Sequence, residues 1–122
     1  MKIKNYQELN IWKRSVEIVI EIYNTSKNFP KEELYGLTSQ IRRASVSIPS
    51  NIAEGFNRYH NKEFRQFLYV SLGSCAEVET QLFIAQRLNY VDQEKAPKLI
   101  KELGEIGKMI NNLIKKINNT LC

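Results

Sequence analysis

Two stretches of this chain repeat apolar or small residues at alternating steps of four and three. Phe64, Leu68, Ser71, Cys75, Val78, Leu82 and Ala85 form the first; Leu99, Leu103, Ile106, Ile110, Leu113 and Ile117 form the second. Such spacing averages about 3.5 residues, which keeps every member on one helical face and suits the seam of a left-handed bundle. A half-buried strand would alternate every second residue, and no such run occurs. Two long helices, each with a continuous stripe to bury, are the minimum the chain can build.

The remaining sequence supplies two more. A first helix is expected over Leu9 to Tyr23, with Leu9, Trp12, Val16, Val19 or Ile20, and Tyr23 on its core face. A second apolar row, Ile11, Ile18 and Ile22, falls beside it. A bundle helix normally needs one stripe, so this row is either a widening of the core or a contact for assembly. Pro30 begins a short turn through Tyr35 that Gly36 ends, and a second helix follows from Leu37 to Glu54 with Leu37, Ile41, Ala44, Ile48 and Ile52 inward. Pro49 removes a backbone donor and crowds the Ser45 carbonyl, so a kink is expected there, with Ser45, Ser47, Ser50 and Asn51 near enough to rebond freed groups. Gly55 reads as the terminator.

Asn61 suits the cap of a third helix reaching Leu88, and a fourth starts between Gln93 and Pro97, its stripe widened by Ile100, Ile114 and Leu121. Small residues at Ser71, Gly73, Ser74, Cys75 and Ala76 would let a neighbouring helix come close. Four amphipathic helices on short connections predict one all-α domain over residues 1–122. The expected form is an antiparallel up-down-up-down left-handed four-helix bundle, with the second helix kinked at Pro49. A length of 122 residues is enough to bury such a core without staples.

Composition narrows the function classes. Eighteen Lys and Arg against 13 Asp and Glu leave a charge of +5, which favours anionic partners. The strongest apolar run, Ile18-Val19-Ile20, lies between Glu17 and Glu21, so no membrane span is expected. Met1-Lys2-Ile3-Lys4-Asn5-Tyr6 does not open like a signal peptide, and a cytoplasmic protein is expected. Cys75 and Cys122 do not suggest a disulfide scaffold.

Catalytic chemistry is hard to assemble from these residues. His60 is the only histidine, too few for a di-iron bundle or a zinc site, and no nucleophile elbow or glycine-rich phosphate loop accompanies it. Ribonucleases of the HEPN class separate an arginine from a histidine by four to six residues. The corresponding positions here are Ala53, Glu54 and Gly55. No enzyme activity, cofactor or metal is expected.

The basic residues fall into groups. Arg58, Lys62 and Arg65 gather near Tyr59 and His60 where helices two and three meet, a mixture that suits phosphate contact with base stacking. Lys101, Lys108 and Lys115 recur every seven residues on helix four, with Lys98 and Lys116 nearby and Glu102 and Glu105 interrupting. Lys2, Lys4, Lys13 and Arg14 form another group. Each also reads as an ordinary solvated surface. A helix two–three hairpin would place Arg42 and Arg43 level with Glu77 and Glu79, so structural ion pairs are favoured there over RNA contact.

Beyond these patterns, the chain resembles a known family through a series of short matches. They comprise Leu9-x-x-Trp12-Lys13, Phe29-Pro30, Glu33-x-x-Gly36-Leu37 and Gln40-x-x-Arg43-Ala44-x-x-Ser47-Ile48-Pro49-x-Asn51-Ile52-Ala53-Glu54-Gly55. Lys62-Glu63-Phe64, Phe67-Leu68, Gly73-Ser74, Glu77-x-Glu79-Thr80-Gln81-Leu82 and Leu88-x-Tyr90 continue the series. The family is that of the four-helix-bundle proteins encoded in intervening sequences of bacterial 23S ribosomal RNA genes. A related branch resembles the accessory proteins of diversity-generating retroelements, which associate with a reverse transcriptase and nucleic acid. The likeness implies an antiparallel bundle assembled as a pentameric ring with a central channel.

Two readings of function follow. One is a non-enzymatic basic homo-oligomer that binds structured RNA or other nucleic acid through Arg58, Lys62, Arg65, Lys98, Lys101, Lys108 and Lys115. The other is an oligomeric scaffold or adaptor for a protein partner, with Ile11, Ile18 and Ile22 as its oligomer interface and no direct nucleic-acid role.

Overall fold

The computed structural model describes residues 3–120, with side chains through Asn118. Lys2, Leu121 and Cys122 lie outside these, and so does any Cys75–Cys122 pairing. Four helices carry the fold: α1 (Asn10–Ser26), α2 (Leu37–Phe56), α3 (Asn61–Arg87) and α4 (Lys95–Thr120). Short 3-10 turns at Tyr6–Glu8 and Lys31–Glu33 precede α1 and α2, and no strand occurs among the described residues. The result is an all-α four-helix bundle. Each helix packs on two others, α1 on α2 and α4, and α3 on α2 and α4.

The α3 and α4 seams meet the expected pattern. Leu68, Ser71, Cys75, Val78, Leu82 and Ala85 are buried on α3, and Leu99, Leu103, Ile106, Ile110 and Ile117 on α4. Ile114 is buried as well, with Leu113 packed half-exposed at the margin. Arg65 meets Asn118, and a side chain at Gly107 would touch Leu72, so numbers fall along α4 as they rise along α3. Pro97 lies in the first turn of α4, where the missing donor costs no helical bond. Burial raises the Cys75 thiol to about 12, with Glu79 adding a smaller push, so this cysteine is held neutral.

On α1 the buried face differs from the expected one. Ile11, Ser15, Ile18, Ile22 and Ser26 point inward, and Ile11, Ile18 and Ile22 are only 5%, 0% and 0% exposed. The row read as an assembly surface is thus the protomer's own core, and it is not free to be an oligomer interface. Ile20 and Tyr23, read as core, are exposed, while Trp12, Val16 and Val19 are half-buried. Two serines explain the misreading, because they interrupt the apolar row. The Ser15 hydroxyl donates to the Ile11 carbonyl and that of Ser26 to the Tyr23 carbonyl at 3.2 Å. A hydroxyl satisfied within its own helix can enter a core.

Serines also line the α2–α3 contact. Ser71 Oγ donates to the Ile48 carbonyl at 2.8 Å, and Ser74 Oγ meets Ser47 Oγ at 2.9 Å. Asn51 Nδ2 donates to the Ser47 carbonyl and hydroxyl, both at 2.8 Å, so it braces the turn that holds Pro49 and does not rebond the Ser45 carbonyl as expected. Gly55 does not terminate α2, which continues to Phe56. A methyl group there would sit 2.6 Å from Phe67 Cβ and 3.0 Å from the Phe64 ring. The missing side chain is what admits α3. Gly73, in contrast, has nothing within 4 Å of the equivalent position and faces outward rather than into a helix contact.

Glu79 is half-buried along α3, and its carboxyl is raised above the ordinary glutamate value by desolvation. A raised folded-state pKa means that the fold holds the proton more tightly than the unfolded chain does. The benefit is present at acid pH and lost as pH rises through the folded value. Glu79→Gln should therefore raise the melting temperature at neutral pH, with the two proteins converging below the glutamate range; calorimetry at two pH values reads this.

Candidate nucleic-acid interface

The outer face of α4 presents Lys101, Lys108 and Lys115, all exposed and none with an ion-pair partner among the described residues. Their seven-residue spacing returns each to the same side after two turns, and 14 residues of helix cover about 21 Å. Glu105 does not cancel them. Its carboxylate accepts a 2.8 Å hydrogen bond from Arg14 on α1, whose other guanidinium nitrogen meets Met109 Sδ at 3.6 Å. The Arg14 hydrogen bond is the main cause that lowers the Glu105 pKa; desolvation opposes it, and the charges of Arg14, Lys101 and Lys108 add smaller lowering contributions. Lys98 is exposed one turn before Lys101.

The second basic group divides. Arg58 is engaged by Glu54 at 3.1 Å and Glu63 at 3.6 Å, and its guanidinium lies over the Phe67 ring at 5.2 Å. It is a local brace with its charge offset. Arg65 Nη1 donates to Asn118 Oδ1 at 2.7 Å, tying the start of α3 to the end of α4. That contact brings Lys62 and Arg65 to the Lys115 end of the stripe. Tyr59, 83% exposed at φ 60°, and exposed His60 stand at the same corner.

The expected Arg42 and Arg43 pairs with Glu77 and Glu79 are not formed. Arg42 instead turns to the end of α1, where its Nε donates to Ser26 Oγ at 2.8 Å and Nη2 to the Tyr23 carbonyl at 3.4 Å. Its guanidinium also lies 4.8 Å from the Tyr23 ring centre. The carbonyl end of a helix attracts a cation, so backbone replaces the carboxylate as partner. Arg43 is exposed and makes no hydrogen bond or ion pair among the described residues. Glu77 is exposed as well, across a cleft that both residues line.

Glu33 fixes the approach to α2. One carboxylate oxygen accepts from Leu37 N at 3.0 Å and the other from the Tyr90 hydroxyl at 3.1 Å. The bond to Glu33 is the main reason the Tyr90 phenol is held above its usual value. This clamp leaves Tyr35 standing 94% exposed beside Arg43, an aromatic that helical periodicity could not single out because it lies in the connection.

Among the described residues, no group of three or more His, Cys, Asp or Glu side chains could hold a metal. No helix among them is long and apolar enough to cross a membrane.

Comparison with known proteins agrees with this architecture. Residues 7–112 match the 23S rRNA-intervening sequence protein family. A crystal structure from Bacteroides thetaiotaomicron, of a protein with unknown function from the S23 ribosomal protein family, is similar at a TM-score of 0.79 and 26% identity. The match covers 86% of this chain and 95% of that one. No functionally curated protein matches.

Proposed function

The chain belongs to the 23S rRNA-intervening sequence protein family, and from that premise we propose that it is a non-catalytic cytoplasmic protein that binds structured RNA or another nucleic acid. It does so as a homo-oligomer, pentameric by family likeness. The observation that carries the reading is the row of lysines on α4 without ion-pair partners among the described residues; of the two carboxylates that interrupt it, Glu105 is occupied by Arg14 and Glu102 stays exposed beside Lys101. Assembly multiplies +5 per chain into a field that steers polyanions. Tyr69, Val70, Phe83 and Ile84, exposed along α3, support assembly in place of the α1 isoleucines.

Binding through phosphates releases counterions, so affinity falls steeply with salt. A filter-binding titration of the wild-type protein on a hairpin RNA and a DNA duplex should show retention at low salt, weakening by roughly 10³-fold or more toward physiological salt if six or more phosphates are contacted across the assembly. Absence of binding at low salt contradicts the reading. Capture of a protein partner that survives nuclease treatment would favour the scaffold reading instead.

A further inference from the structure

Tyr35 stands between two clefts. One, of about 340 Å³, is lined by Tyr23, Leu34, Thr38 and Arg42, and the other, of about 430 Å³, by Gln40, Ala44, Ser47 and Glu77. Tyr35, Ser39 and Arg43 belong to both. We infer that this ring and arginine form a subsite for an unpaired nucleotide, separate from the lysine face, a reading that rests on the nucleic-acid function proposed above.

Three features carry it. First, Tyr35 keeps 94% of its surface in water although apolar Leu34 and Tyr23 are at hand, so its ring is free to stack. Second, Arg43 has no hydrogen-bond or ion-pair partner among the described residues, while Arg42 beside it is held at the end of α1. A guanidinium with all its donors unused suits a phosphate. Third, the two clefts differ in character. The Tyr23–Leu34 side offers apolar surface for a stacked ring. On the other side, Glu77 would repel a phosphate, but with Gln40 it can accept the N–H groups of a base edge.

Duplex bases are stacked on one another and cannot cover a lone tyrosine, whereas splayed bases of loops and single strands can. The subsite therefore selects unpaired nucleotides, and the α4 lysines contact phosphates of any strand.

The test measures binding of labelled oligouridylate, oligothymidylate and a duplex by fluorescence anisotropy. Tyr35→Ala should weaken the two single strands by roughly 5- to 150-fold, the range for loss of one stacked base, and leave the duplex unchanged. Tyr35→Phe should restore binding. Arg43→Gln should lower the salt dependence for single strands by about 0.7 in log–log slope. The oligouridylate and oligothymidylate arms separate RNA from DNA as the source of the nucleotide. If the wild type binds single strands and Tyr35→Ala binds them equally well, the subsite is wrong and the lysine-face reading stands. If the wild type binds no nucleic acid, both fall. Dissociation of Tyr35→Ala assemblies in sedimentation would make the patch a contact between copies and overturn the subsite.

Discussion

Ile18→Ala is expected to destabilise the protein by about 2–5 kcal/mol, the range for removing a fully buried isoleucine. Ile18 is 0% exposed and sits between Ser15 and Ile22 on the inward face of α1. Deleting its outer carbons leaves a cavity that α2 and α4 cannot fill without shifting. Ile20→Ala, two residues away at 52% exposure, should change stability by no more than about 0.5 kcal/mol. Urea melts of the two variants read the phase of α1 directly. Equal stabilities, with Ile18→Ala instead lowering the oligomeric state, would return that isoleucine row to the surface.

Gly55→Ala should also destabilise strongly, against the usual gain from replacing a helical glycine. The propensity term favours alanine by up to about 1 kcal/mol. Opposing it, the new methyl meets Phe67 Cβ at 2.6 Å, an atom fixed to the α3 backbone rather than the end of a flexible chain. Overpacking of this kind costs about 1–3 kcal/mol and sometimes more, so after the full propensity gain the net change is a loss of up to about 2 kcal/mol. Gly73→Ala provides the control. With nothing within 4 Å, it should keep the propensity gain and stabilise the protomer by about 0.5–1 kcal/mol. Opposite signs at two helical glycines are the expected result. A stabilised Gly55→Ala would mean that α2 and α3 do not approach closely there.

The parts of this fold that were legible in the sequence are those where apolar residues alone mark the core. On α4, Leu99 to Ile117 reveal both the helix and its inward face, and on α3 the four–three steps survive Ser71 and Cys75. On α1 the buried row includes Ser15 and Ser26, while exposed Ile20 and Tyr23 imitate a core stripe, so hydropathy selects the wrong side. Gly55 looked like a stop because composition cannot distinguish a terminator from a close crossing. Ion pairing for Arg42 assumed that carboxylates are its natural partners; the carbonyl end of α1 proved nearer. The lysine stripe was readable from its seven-residue spacing. The isolation of Tyr35 and Arg43 depends on what their neighbours bind, which no spacing records.

The most direct measurement is the salt dependence of RNA affinity for a variant with Lys101, Lys108 and Lys115 all changed to glutamine. These exposed side chains make no hydrogen bond or ion pair among the described residues, so the bundle should keep its helicity and melting temperature. Net charge falls from +5 to +2 per chain, three positive charges fewer. If the α4 face is the phosphate contact, affinity drops and the log–log salt slope shrinks by about 0.9 for each lost contact with duplex nucleic acid. An unchanged affinity and slope, with the wild type still binding, would contradict the lysine face as the nucleic-acid surface.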